Sequence, residues 1–219
     1  TVLRLTLSSK ELKLEGLLQF SRRCDAKGKI DYVAKLIKNL DNDMQVIIFV
    51  NSKKFADVVV NNLKKEGLSV GLLTGSKDQL PHERAARLNE FREGKFKILI
   101  TTNLLAKGFD QRTIGLVINL DLPRDYSTQS EGGERKVDLA TYLHRIGRTG
   151  RYGDTGLAIN LYTTEAEREM IVDIEKHYGV QIKELSKEPK EFDMVNDYLD
   201  QIEKRNKEKR EELDEKINK

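Results

Sequence analysis

Residues 46–67 read VIIFVNSKKFADVVVNNLKKEG. The opening VIIFV (46–50) is an unbroken β-branched and aromatic run, the signature of a strand buried on both faces. Beyond it, Phe55, Val58, Val59 and Leu63 recur at helical spacing and leave the lysines outside. Ser52 is placed to cap that helix and Gly67 to follow its end. A buried strand running straight into an amphipathic helix is half of a parallel βαβ unit.

The same alternation continues outward. SVGLLT (69–74) reads as a strand, and PHERAARLNEFREG (81–94) as a helix with Pro81 in its first turn and Gly94 at its end. KFKILITT (95–102) and LVINLDLP (116–123) read as strands, DLATYLHRIGRTGR (138–151) as a helix capped by Asp138, and GLAINLYT (156–163) as a strand. TTEAEREMIVDIEKHYG (163–179) reads as a helix opened by a Thr164/Glu167 capping box and closed by Gly179. The fold class this predicts is α/β, a mostly parallel sheet with helices on both faces. Ligands are then expected at the carboxyl ends of the strands, in the loops after residues 50, 74, 102 and 123. The domain is expected to span residues 1–185. Residues 186–219 are expected to form a charged helical or partly disordered tail, docked through Phe192, Val195, Leu199 and Ile202 and solvated beyond them; a partner-binding helix is the alternative. YSTQSEGGERKV (126–137) reads as a polar surface loop.

The 219 residues are 38% hydrophobic and 34% charged, enough for a core under a heavily charged surface. A net charge of +3 makes any basic face a local one. The single cysteine, Cys24, excludes an intramolecular disulfide and points to a reducing compartment. No apolar run is long enough to span a bilayer as a helix. The opening on Thr1 rather than Met raises the expectation of a longer protein.

Four strings carry candidate chemistry. In HRIGRTGR (144–151), Arg145, Arg148 and Arg151 stand three apart. On a helix that spacing aligns them as one oblique basic ridge suited to phosphate. Gly147 and Gly150 imply either a close backbone approach or the end of the helix; a basic helix terminus complementing the macrodipole is the plain alternative. TTNLLAKGFD (101–110) follows a buried strand. Its Thr101 and Thr102 hydroxyls and the Gly108 backbone suit phosphate, and Asp110 suits ribose hydroxyls, although the same residues also make ordinary turns. Asn51–Ser52 caps a helix whose N-terminus is itself an anion site. Arg84 alone reads as a surface charge. There is no phosphate-binding G-x-x-x-x-G-K-[ST] loop, no acidic cluster for magnesium, and no nucleophile with a supporting histidine.

Together, HRIGRTGR (144–151), TTNLLAKGFD (101–110), IIFVNS (47–52) and the Arg84 helix ending in EFREG (90–94) resemble the second RecA-like lobe of a DEAD-box RNA helicase. The likeness runs from about residue 17 to about 180 and is nearest to the mRNA-export subgroup of the nuclear pore. The resemblance implies a three-layer RecA-like fold. It makes Arg148 and Arg151 arginine fingers for the γ-phosphate of ATP, Asp110 a ribose contact, and Gly108 part of the ATP site. His144 and Arg145 become interlobe positions. Ser52, Arg84, Thr102, Lys107 and Gly108 fall along the RNA backbone. Lys107 departs from the family's usual arginine and lacks its fork, and Pro81 stands where glutamine is usual. ATP with Mg2+ is the implied cofactor, the metal being held by the other lobe, with no metal site here. RNA, the N-terminal RecA-like lobe, and regulators such as export or pore factors are the implied partners of a monomer with no membrane association. The expected location is the cytoplasm, extending to the nucleus and its pores. The competing reading is a non-enzymatic RNA- or protein-binding module on the same fold.

Overall fold

The computed structural model describes residues 16–41, 44–75, 80–102, 114–127, 136–150, 154–185 and 190–217. Its elements in chain order are β1 (Leu17–Arg23), α1 (Gly28–Lys38), β2 (Gln45–Phe49), α2 (Lys53–Lys65), β3 (Val70–Leu73), α3 (Pro81–Arg92), β4 (Ile98–Thr101), β5 (Ile114–Asn119), α4 (Leu139–Ile146), β6 (Gly156–Tyr162), α5 (Glu165–Tyr178), β7 (Lys183–Glu184) and α6 (Glu191–Ile217). The strands form one seven-stranded sheet in the order β3-β4-β2-β5-β6-β1-β7. Every paired strand in it is parallel.

Alternating side chains of the central strands fill two separate apolar layers. On one face Val46, Ile48, Ile100, Ile118 and Ile159 pack with α1, α2 and α6. On the other, Ile47, Phe49, Leu99 and Val117 meet Phe91 of α3, while Ala158 and Tyr162 meet α4 and α5. The continuous apolar runs in the sequence follow from this burial on both faces.

Local chemistry sets the helix ends. The Ser52 hydroxyl accepts the Phe55 N–H at 3.2 Å to open α2, and Asp138 accepts the Thr141 N–H at 2.9 Å to open α4. Gly179 closes α5 in the left-handed conformation. The capping pair of α5 is displaced by one residue on its return side: Thr164 accepts the Glu167 N–H, while the Glu167 carboxylate accepts the N–H of Thr163.

Four expectations change. α4 ends at Ile146, not 151, because Gly147 stops it. Val58 is 48% exposed, and Ala56 and Val60 take its place inside. β1, α1 and β7 are present although the sequence patterns do not announce them. α6 continues as helix to Ile217 and stays docked past Ile202, through Asn206. The polar loop is closed at its base by an antiparallel bridge between Arg124 and Val137; residues 128–135 lie outside the described ones. No helix among the described residues is long and apolar enough to cross a membrane.

Glu167 ties three parts of this layer together. Its carboxylate lies 3.0 Å from Arg124 and 3.7 Å from Lys29, and Lys29 also donates to the Leu120 carbonyl. Burial opposes ionisation of this carboxyl, but Lys29, the Thr163 N–H and Arg124 outweigh it and hold its pKa below the ordinary 4.5. A lowered carboxylate pKa stabilises the fold above the ordinary value, and the benefit disappears as pH falls through the lower folded-state value. Glu167→Gln is therefore expected to destabilise at pH 7 by about 1–2 kcal/mol and to flatten the acid limb of stability below 4.5. Thermal unfolding across pH checks this; unchanged acid sensitivity contradicts it.

Candidate functional site

The parallel sheet gives two edges of different character. At the carboxyl edge, Ser52 follows β2, exposed at the N-terminus of α2, and Thr102 follows β4, half-buried. Because β2 and β4 are paired neighbours, these two residues share that edge. Arg84 lies half-buried in the first turns of α3. Three of the expected RNA-backbone residues, Ser52, Arg84 and Thr102, are thus described. Lys107, Gly108, Asp110 and Arg151 lie outside the described residues.

The two described arginines of the string, Arg145 and Arg148, do not share one ridge. His144 is exposed and Arg148 half-buried, but Arg145 turns inward and is 1% exposed. Its guanidinium donates to the Asp121 carbonyl at 2.7 Å, Asn51 Oδ1 at 2.8 Å and Asn119 Oδ1 at 3.3 Å. It also lies over the Phe49 ring, 5.2 Å from its centroid. Asn51 is fixed in turn, its N–H donating to the Asp121 carboxylate and its amide to the Leu122 carbonyl. Burial pulls the Arg145 pKa down to about 10, against Asp121 and Asp138, which favour the charge. It therefore stays cationic at neutral pH. The ridge expectation fails because three-residue spacing fixes where side chains leave a helix, not where a long one ends.

Below Arg145 a buried polar row crosses the sheet. Asn119 donates to Asn160 at 2.8 Å, and Asn160 donates to the Tyr142 hydroxyl at 3.1 Å. Tyr142 donates to Gln19 at 2.7 Å. Sequence reasoning misses these residues, although a signal is present: the triplet Ile-Asn-Leu occurs at 118–120 and at 159–161, and Asn119 sits opposite Asn160 in the β5–β6 register. An asparagine inside an apolar strand is costly unless paired.

After α4 the chain reaches the opposite edge. Thr149, buried, donates its hydroxyl to the carbonyl of Ile114, the first residue of β5. Gly150 has φ +68°, and a side chain there would fall 2.7 Å from Leu17 and 3.3 Å from the Asp154 carbonyl. Both readings of the glycines hold in part: Gly147 ends the helix, and Gly150 admits a close backbone approach. Arg148, whose Nε donates to the His144 carbonyl at 3.1 Å, stands beside this turn at the amino edge. The described candidate residues therefore divide between the two edges instead of gathering at the carboxyl one. Among the described residues no group of three or more His, Cys, Asp or Glu side chains could hold a metal ion.

Removing the buried guanidinium would strand the Asn51 and Asp121 acceptors. Arg145→Ala is expected to cost about 3 kcal/mol or more, whereas Arg148→Ala should stay within about 1 kcal/mol of the parent. Thermal or denaturant unfolding measures both, and equal losses contradict the division.

Residues 28–153 match the helicase conserved C-terminal domain. The chain is 36% identical over 196 residues to the ATP-dependent RNA helicase dbp5 of Aspergillus fumigatus, covering 89% of this chain and 39% of that protein. It thus spans well under half the length of such curated relatives. Among solved structures, S. cerevisiae Dbp5 bound to RNA and ADP BeF3 is similar with a TM-score of 0.78 and 34% identity, over 90% of this chain and 48% of that one. The C-terminal domain of an S. cerevisiae Dbp5 variant, bound to a Gle1 variant and IP6, gives 0.70 and 34% identity over 85% of this chain and 98% of that domain. Sheet order, the string at 144–151 and these likenesses agree: the chain belongs to the helicase conserved C-terminal domain family, as the second RecA-like lobe of a DEAD-box protein similar to Dbp5.

Proposed function

We propose that this lobe works with an N-terminal RecA-like lobe as an RNA-stimulated ATPase that unwinds short duplexes or remodels RNA–protein complexes in mRNA export. The observation that carries the reading is the division within 144–151. Arg145 is locked into the sheet and Arg148 is presented beside a tight turn at the amino edge. A guanidinium held there suits the terminal phosphate of an ATP cradled by the other lobe, because its fork matches phosphate oxygens and its charge offsets what develops in the transition state. Arg151 is the second such finger, His144 an interlobe contact, Asp110 the ribose contact, and Gly108 a backbone neighbour of the phosphates.

At the carboxyl edge, Ser52 and the N-terminus of α2 suit an RNA phosphate. Arg84, Thr102, Lys107 and Gly108 extend the track along the sugar-phosphate backbone, which gives RNA preference without reading sequence. Mg2+ would be held by carboxylates of the other lobe, where it would neutralise phosphate charge. Gle1-like export factors and pore proteins are the proposed regulators, and the cytoplasm and nuclear pore the proposed location of a monomeric enzyme.

The test joins this chain to its upstream lobe and measures ATP turnover with and without RNA. Strong RNA stimulation is expected, with Arg148→Ala and Arg151→Ala each losing roughly 10³-fold or more. The isolated lobe should be inactive. Turnover in the joined protein indifferent to both substitutions would favour a non-enzymatic RNA- or protein-binding module.

A further inference from the structure

Helix α6 carries a feature that packing alone does not require. Among the described side chains of residues 203–216, Asn206 alone is buried. A buried amide is unfavourable unless both its donor and its acceptor are used. Here both are, and both meet one residue's backbone. Asn206 Oδ1 accepts the Thr155 N–H at 2.6 Å, and Asn206 Nδ2 donates to the Thr155 carbonyl at 2.9 Å. The side chain does for Thr155 what a neighbouring strand would do, just ahead of β6. One helical turn further on, Arg210 lies on the same stripe and pairs with the Asp154 carboxylate.

The clamped backbone lies against the turn that follows Arg148. A side chain at Gly156 would fall 2.2 Å from the Thr149 hydroxyl and 2.6 Å from the Gly150 nitrogen. The Asp154–Gly156 backbone is therefore one wall against which Thr149–Gly150 rests. The Thr149 hydroxyl bond to Ile114 and the N–H bonds of Arg148 and Thr149 to the Arg145 and Ile146 carbonyls hold the same turn from the α4 side.

We infer that Asn206 and Arg210 of α6 are positioning residues for the phosphate-facing turn at Arg148, so that the charged tail sets the rate of ATP turnover from outside the cleft. The inference rests on the phosphate role proposed for Arg148. Asn206 fixes the wall, the wall fixes Thr149, and Thr149 fixes the exit of Arg148 from α4. A guanidinium displaced by about 1 Å loses much of its effect on a transition state while keeping its charge. The tail therefore affects turnover and leaves the RNA track at the carboxyl edge untouched.

Two measurements test this. In the first, hydrogen exchange compares the parent chain with Asn206→Ala. The Thr149, Gly150 and Gly156 amides are expected to exchange about tenfold faster, while those of Ile47 and Leu99 in the central strands stay protected and report an intact fold. Unchanged exchange at Thr149 and Gly150 overturns the clamp and leaves the reading of Arg148 standing.

In the second, the two-lobe protein is assayed for turnover and RNA affinity. Asn206→Ala is expected to lower kcat by about tenfold with RNA affinity unchanged. Arg210→Ala should do so to a lesser degree, and Arg210→Lys should recover the loss. In an Arg148→Ala background, Asn206→Ala should cost nothing further, because residues acting as a unit are not additive. An equal fold-loss in both backgrounds overturns the inference. Turnover indifferent to Arg148→Ala itself overturns the phosphate role and the functional half of the inference together.

Discussion

A guanidinium sealed inside the protein governs the arrangement of everything near it. Arg145 is held by Asn51, Asn119 and the Asp121 carbonyl and lies over Phe49. Burying a charge is expensive, and well-packed apolar residues often stabilise a core as well as a buried charge does. What the charge adds is geometry. A planar fork with several fixed acceptors admits one orientation of α4 over the sheet. With α4 so fixed, its partner Asn51 is set at the carboxyl edge next to the Ser52 cap, and the turn after Gly147 is delivered to the amino edge at Ile114. The proposed RNA contacts and the proposed phosphate contacts are thus joined through one short helix of eight residues.

The polar row beneath α4 serves the same end. Asn119, Asn160, Tyr142 and Gln19 come from β5, β6, α4 and β1, and they satisfy one another in sequence. Asn160 also donates to the Phe20 carbonyl across the strand boundary. A one-residue slip of β5 or β6 would turn an amide into the opposite apolar layer, where nothing could pair with it. The row therefore ties strand register to the placement of α4, a specificity that methyl groups alone supply poorly. The clamp at Thr155 extends the principle to the far edge, again through a side-chain amide whose donor and acceptor are both used.

The sequence is most legible where periodicity and burial agree. VIIFV lies within one residue of its strand, the helix after it starts and stops within two residues of expectation, and the α/β alternation is plain from five strands. β1 escapes notice because LLQFSRR carries four polar residues; Gln19 and Ser21 are buried, but only Tyr142 on a distant helix explains why Gln19 can be. α1 is hidden by its lysines, one of which, Lys29, is buried on Leu120 and Glu167. The extra turn expected of α4 fails at Gly147, itself a candidate helix end on sequence grounds. Of the site, the strings and their order are readable, yet the inward turn of Arg145 depends on acceptors contributed by other segments of the chain. No spacing rule within 144–151 contains that information. The docking of α6 beyond Ile202 is unreadable for the same reason, since one asparagine among charges shows nothing until its partner backbone is known.

The most direct test of the division within 144–151 is a crystal structure of the two-lobe protein with RNA and an unhydrolysable ATP analogue. The account requires Arg148 to lie within hydrogen-bond distance of the terminal phosphate while Arg145 keeps its bonds to Asn51 and Asp121. A structure in which Arg145 swings into the cleft, or Arg148 stays away from the nucleotide, would contradict it.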